Sequence, residues 1–200
     1  MTIDQRASRR HGDRVPELLG ALPGPGDDGV VLAFDRTVGD EVQGVLDDAA
    51  TVVDVVLLAA RLGEWSVGVG VGPVDEPLPA STRAGTGAAF VRAREAVERA
   101  KRRAGGAPVA VVGADRGPQA DRAAEAESVL QLLASVAERR TAAGWEVVDL
   151  LRDGLSQRAA AERLGVSGQA VSQRVRASMW PEEAAARPLA ARLLEEADAS

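Results

Sequence analysis

The sequence predicts an α+β fold: a sheet with helices over residues 1–115, a connecting helix over 116–140, and an all-α helix-turn-helix domain over 141–200. Three observations predict it. Extended and helical patterns alternate through the first part as β, α, β, β, α, β, α, β, which reads as a single sheet backed by helices. Gly117-Pro118 then punctuates the chain, and every patterned run beyond it has helical period. Finally, Gly154–Arg176 has the spacing of two short helices about a tight turn.

Met1-Thr-Ile3 is a short apolar start before Asp4. Asp13 can cap a helix with Val15, Leu18, Leu19 and Leu22 at i, i+3, i+4, i+7. Leu22–Gly29 is a Pro/Gly/Asp loop. Val30–Phe34 and Glu41–Leu46 form a β-hairpin with Gly39-Asp40 at or near its tip. Asp47 or Asp48 caps an apolar helix running to about Arg61, rich enough in Ala and Val to be buried on more than one face. Trp65–Val71 alternates with period two, and its glycines from Gly68 let something approach one face closely. A helix runs from about Ala88 to Arg103 with Phe90, Ala93, Val97 and Ala100 on one face, and Val109–Val112 is a further strand. A long helix then carries Ala126, Val129, Leu130, Leu133, Val136 and Ala137 as one stripe. Trp145–Leu151 supplies a supporting helix, and Pro181 starts a last amphipathic helix through Leu189, Leu193 and Leu194.

The most informative stretch is Gly154–Arg176. Ser156 can cap a helix in which Ala160 and Leu164 share a face, with Ala161 small enough for a close crossing. Gly165 tolerates the left-handed conformation of a tight turn, and Ser167 can cap a second helix that buries Val171 and Val175. Its other face carries Gly168, Gln169, Ser172, Gln173 and Arg176, which suit base edges and phosphates. From Ser156 to Trp180 the cations are Arg158, Arg163, Arg174 and Arg176, and the only acid is Glu162. The candidate DNA-binding set is therefore Ser167, Gly168, Gln169, Ser172, Gln173, Arg174 and Arg176.

Composition narrows the alternatives. A chain of 200 residues, 46% hydrophobic and 27% charged, is globular and holds one or two domains. Aromatics are only 2%, so the core is built from Val, Leu and Ala. There is no Cys and a single His, which disfavours disulfides, thiolate metal sites and a Ser-His-Asp triad. His11 reads as a solvated loop residue, and no catalytic residue is assigned. A net charge of −6 argues against nonspecific coating of nucleic acid. No run is apolar enough to span a bilayer, so a cytoplasmic protein without a membrane partner is expected.

Several stretches, in order, resemble the SatD family of bacterial proteins. They are Asp4, Ser8-Arg9, Asp13-Arg14, Val38-Gly-Asp-Glu-Val-Gln-Gly44, Trp65-Ser-Val-Gly-Val-Gly70, Gly87-Ala-Ala-Phe90 and Ala93-Arg-Glu-Ala96. Val42 stands where the family has Phe. Members often end in a helix-turn-helix. The same pieces resemble a degenerate nucleotidyl cyclase/GGDEF fold, which implies a ferredoxin-like, cyclase-like sheet. That resemblance makes Asp4, Asp40 and Glu41 the candidate metal ligands, for magnesium and a nucleotide. The tip here is Val-Gly-Asp-Glu-Val, and Arg92, Arg94 and Lys101 read as the solvated face of a helix rather than a phosphate site. In such an architecture the strand at Asp4 is central, so its short start implies a native start upstream or a stunted strand.

The expected function is sequence-specific binding of double-stranded DNA, as a transcriptional regulator with an amino-terminal sensing or dimerisation domain and no resident cofactor. A homodimer is one way to engage two half-sites, with the Val129–Val136 stripe or the sheet supplying the contact. The stripe can equally pack against the chain's own domain. The rival is a nucleotide-binding cyclase-like enzyme or pseudo-enzyme with an accessory helix-turn-helix. A third reading is a protein-interaction module.

Overall fold

The computed structural model describes residues 1–199. Five strands form one mixed sheet: β1 (Thr2–Gln5), β2 (Val30–Arg36), β3 (Glu41–Leu46), β4 (Trp65–Gly70) and β5 (Val109–Val112). Their spatial order is β2-β3-β1-β4-β5. The four-residue β1 is central and antiparallel to both β3 and β4, and β5 closes the edge parallel to β4. The helices are α1 (Ser8–His11), α2 (Val15–Ala21), α3 (Ala49–Leu62), α4 (Ala88–Lys101), α5 (Pro118–Arg139), α6 (Ala142–Arg152), α7 (Gln157–Leu164), α8 (Gly168–Ser178) and α9 (Trp180–Asp198). The protein is thus α+β, with a helical second half.

Strand register sorts side chains between the two sheet faces. Ile3 opposes Val42 on one side and Val67 on the other, and Val67 opposes Val109. These residues share a face, and they pack with buried residues of α2, α3 and α5. The opposite face carries Asp4, Glu41, Ser66, Gly68 and Ala110, again as cross-strand partners. Here α4 lies directly on β4. A Cβ at Gly68 would collide with the Val97 and Ala93 backbone, and one at Gly70 with the Ala89 and Ala93 backbone. Glycine at these two positions sets the helix-to-sheet distance. The alanines Ala93, Ala96 and Ala100 on the facing side of α4 keep that contact close in a chain with few aromatics.

Local chemistry begins and ends these elements where the sequence indicates. Asp48 caps α3 by accepting the Thr51 N–H (2.7 Å). At α2 the cap position is Arg14, which makes no side-chain cap bond, and Asp13 sits one residue further out, where it accepts the Val15 N–H at 3.0 Å. The β2–β3 turn holds Gly39 at φ 63° with Asp40 next to it. Residues 8–11 form a short helix rather than a loop, entered through Ala7 at φ 55°. His11 Nδ1 lies 2.7 Å from a Glu64 carboxylate oxygen, so the residue is partnered as well as half-exposed.

Gly117-Pro118 is a turn in the chain but not a gap in the core. Ala123, Ala126, Leu130, Leu133 and Ala137 of α5 are buried in the same cluster as the sheet valines. So are Ala190, Leu193 and Leu194 of α9, which returns from the far end of the chain. The α5 stripe is therefore taken up within the chain. Val129 packs partly buried against it, and Leu132 on the outer side is exposed. Residues of α6, α7 and α8 form a second, smaller cluster of their own. Among the described residues no helix is long and apolar enough to cross a membrane.

Gly68→Ala overpacks the α4–β4 contact and is expected to cost about 2 kcal/mol or more in urea unfolding. Gly20→Ala, at an exposed position of α2 with open space around it, is expected to stabilise by about 0.5–1 kcal/mol.

Candidate functional site

The small cluster that unites α6, α7 and α8 consists of Val147, Ala160, Ala161, Val171 and Val175, with Leu150, Leu164 and Val166 partly buried around it. Two capping serines fix the helix starts. Ser156 Oγ accepts the Ala159 N–H and Ser167 Oγ accepts the Ala170 N–H, each at 3.2 Å. Between them Gly165 adopts φ 65°, ψ 31°, the left-handed geometry that turns α7 into α8. The sequence pattern and the backbone agree at all three positions.

The expected DNA-binding residues fall into two groups. Gln169, Gln173 and Arg176 are exposed. At about 100° per residue they share an arc of about 60° on the side of α8 away from Val171 and Val175. Ser167 and Gly168 lie exposed at the start of the same helix, where unsatisfied N–H groups and the helix dipole favour an anion. The other two are engaged within the protein. Ser172 donates its hydroxyl proton to Gln157 Oε1 on α7 at 3.0 Å. Arg174 is turned toward α6, with Nη1 3.3 Å from a Glu146 carboxylate oxygen. Arg158 pairs with Glu162 along α7 at 3.1 Å. Among the described residues, Arg163 and Arg176 are the two cations of this unit without an acidic partner.

A buried ion pair attaches the unit to the sheet body. Arg140 follows α5, and Glu183 lies in the first turn of α9, so the pair brackets the stretch holding α6, α7 and α8. Their side chains are 0% and 2% exposed, and Arg140 Nη2 lies 2.5 Å from Glu183 Oε2. Arg140 also donates twice to the Ser178 carbonyl, from Nε at 3.2 Å and Nη2 at 2.8 Å. Its guanidinium stacks 4.3 Å from the centre of the Trp145 ring, and that ring face offsets part of the cost of burying Nη1, which finds no hydrogen-bond acceptor. Arg61 of α3 stacks on the same ring at 4.3 Å and binds Asp149 of α6 through two bonds of 2.6 and 2.8 Å. Arg187, half-buried on α9, pairs with Asp54 of α3 and lies 3.5 Å from Glu183. Burial lowers the Arg187 pKa from its ordinary value.

The sheet acids form a separate group. Asp4 and Glu41 face each other across β1 and β3, and the Asp40 carbonyl accepts the Gln5 N–H at 3.3 Å. Lys101, at the end of α4, reaches back to place Nζ 2.8 Å from Asp4 and 2.9 Å from Glu98. This departs from the expectation of a solvated cation: the α4–sheet contact carries the lysine over the strand ends. Glu41 accepts the Thr37 hydroxyl proton at 2.5 Å. Burial raises the Asp4 carboxyl pKa above its ordinary value; Lys101 opposes this and the charges of Asp40 and Glu41 add to it. Among the described residues no group of three His, Cys, Asp or Glu side chains is placed to hold a metal ion. Asp4 has a lysine as its counter-charge instead.

Comparison with family models, curated proteins and solved structures finds no match.

Sequence reasoning missed Glu146, Gln157 and the Arg140–Glu183 pair. Each partner is distant in the chain, and a buried Arg has no periodic signature. Arg140→Met leaves Glu183 buried with only Arg187 nearby, and is expected to cost about 3 kcal/mol in urea unfolding. Arg140→Met with Glu183→Leu is expected to recover most of that loss. Lys101→Met removes the ammonium from Asp4, so its carboxyl titrates at still higher pH by carbon-13 NMR. Because the folded pKa is then raised further, the variant's stability relative to the parent falls as pH rises through that titration.

Proposed function

We propose that this chain is a cytoplasmic, sequence-specific DNA-binding protein, a transcriptional regulator. In this reading α7 and α8 are a helix-turn-helix and α8 enters the major groove. The observation that carries it is the single exposed arc of Gln169, Gln173 and Arg176, set behind a helix start that Ser167 and Gly168 leave open. Gln169 and Gln173 read base edges, for which an amide offers the donor–acceptor pair that adenine matches. Arg176 and Arg163, free of acidic partners among the described residues, fix register on phosphates, as do the first N–H groups of α8. Arg174 joins them by exchanging the exposed Glu146 for a phosphate, a swap of small cost at a solvent-facing ion pair. The sheet body acts as a sensing or dimerising platform, and a two-fold dimer spans half-sites about one turn apart.

A second reading has its own support. The order β2-β3-β1-β4-β5, with Asp4 and Glu41 paired at the hairpin end, is in keeping with a ferredoxin-like, cyclase-like sheet and with a distant SatD relationship. A nucleotide with magnesium would then lie at Asp4, Asp40 and Glu41, and Lys101 would have to leave Asp4.

Selection from a randomised duplex library tests the first reading. A short enriched motif is expected, bound at least about tenfold more weakly by Gln169→Ala/Gln173→Ala. Arg163→Ala/Arg176→Ala is expected to weaken every duplex and to reduce the salt slope by about two. No enrichment, with equal weak binding by all three proteins, would falsify it.

A further inference from the structure

We propose that the cavity between the end of the sheet and the last turn of α9 binds a small, mainly apolar molecule carrying a protonated amine. The cavity measures about 340 Å³ and lies where β1 starts, β3 and β4 end, and α3 and α4 begin. Val52, Val69, Phe90 and Leu194 supply apolar walls from four different elements. Val69 and Leu194 belong to the main core, Val52 packs against it, and Phe90 is buried on α4. At about 30 Å³ per water-sized group the space takes on the order of ten non-hydrogen atoms. That volume lies at the lower end of small-molecule sites.

The charge of the rim selects the ligand. Asp47, Asp48, Glu195 and Asp198 line the cavity and are exposed, while the nearby Arg92 guanidinium is taken up by the Val71 carbonyl at 2.7 Å. Asp48 is occupied as the α3 cap. Asp47, Glu195 and Asp198 have no side-chain hydrogen bond or ion pair among the described residues. The carbonyl end of α9 adds partial negative charge, and its last turn contains no basic residue. The starts of α3 and α4 also meet the cavity, but the Asp48 carboxylate caps α3 by accepting the Thr51 N–H at 2.7 Å, and the Ala89 N–H is bonded to the Pro73 carbonyl at 3.1 Å. The Met1 amino group is committed to the Gly44 carbonyl at 2.8 Å, and burial lowers its pKa to about 5. An apolar chamber with three uncommitted carboxylates at its mouth complements an ammonium on a hydrocarbon body. It disfavours a carboxylate of the same shape.

Calorimetry and amide NMR on the full chain, with hexylamine, hexanol and hexanoate as probes, test this. Hexylamine is expected to bind at millimolar concentration and more tightly than hexanol, with hexanoate weakest, and to shift amides of α3, β4 and the end of α9. Glu195→Gln/Asp198→Asn is expected to weaken hexylamine about three- to tenfold and to leave hexanol unchanged. Val52→Phe, with folding checked by circular dichroism, is expected to abolish binding of all three. Equal binding of hexanoate and hexylamine would overturn the proposal. So would no binding of hexylamine at millimolar concentration, unchanged hexylamine binding in the charge variant, or retained binding in a folded Val52→Phe protein. None of these outcomes depends on DNA binding.

Discussion

The buried Arg140–Glu183 pair ties the stretch that holds α6, α7 and α8 to the sheet body. It joins residues 43 apart in sequence and closes the loop of chain that contains α6, α7 and α8. Removing two charges from water is costly, and such a pair is seldom the most stabilising solution available. Its value here is geometric. An apolar contact of similar size would tolerate sliding, whereas the guanidinium holds the Ser178 carbonyl, the Glu183 carboxylate and the Trp145 ring at once. Arg61 then ties the same ring, and Asp149, to α3. The small helical unit is thereby held in one orientation relative to the sheet, and the exposed arc of α8 with it.

The sheet body is shaped by a different constraint, the scarcity of large side chains. With aromatics at 2%, close packing is reached by bringing backbones together rather than by filling space. Gly68 and Gly70 under α4 are the clearest case. The alanine stripes of α4 and α5 extend the same solution to both faces of the sheet. Helix α9 completes the core by packing against α5 and α3, so a segment that follows α8 in sequence belongs physically to the first part of the chain. One end of α9 carries Glu183, and the other forms a wall of the cavity at the sheet end.

Much of this was legible in the sequence because it is local. Ser156, Gly165 and Ser167 act within three or four residues of themselves, and the Trp65–Gly70 alternation directly reflects strand pleating. The hairpin about Gly39-Asp40 and the Asp48 cap follow the same logic. What was not legible depends on partners far along the chain. Nothing near Arg140 marks it as buried, since an arginine after a helix is ordinarily solvated. The reach of Lys101 to Asp4 requires the α4–β4 contact to exist first. The return of α9 to the sheet core cannot be read from its own pattern, which specifies an apolar face but not what covers it. A boundary drawn at Gly117-Pro118 therefore identifies a turn correctly while separating α5 from the core it completes.

In the proposed reading DNA lies against the exposed arc of α8 rather than the acidic end of the sheet, and backbone amide NMR of the full chain, titrated at low salt with a mixed-sequence duplex, distinguishes the two. Shifts concentrated between Ser156 and Arg176 are expected, greatest near Gly168, Gln169 and Gln173, with β1, the 37–41 turn and the end of α4 unmoved. Shifts centred on Asp4, Asp40 and Lys101, or none on α8, would rule the proposed reading out.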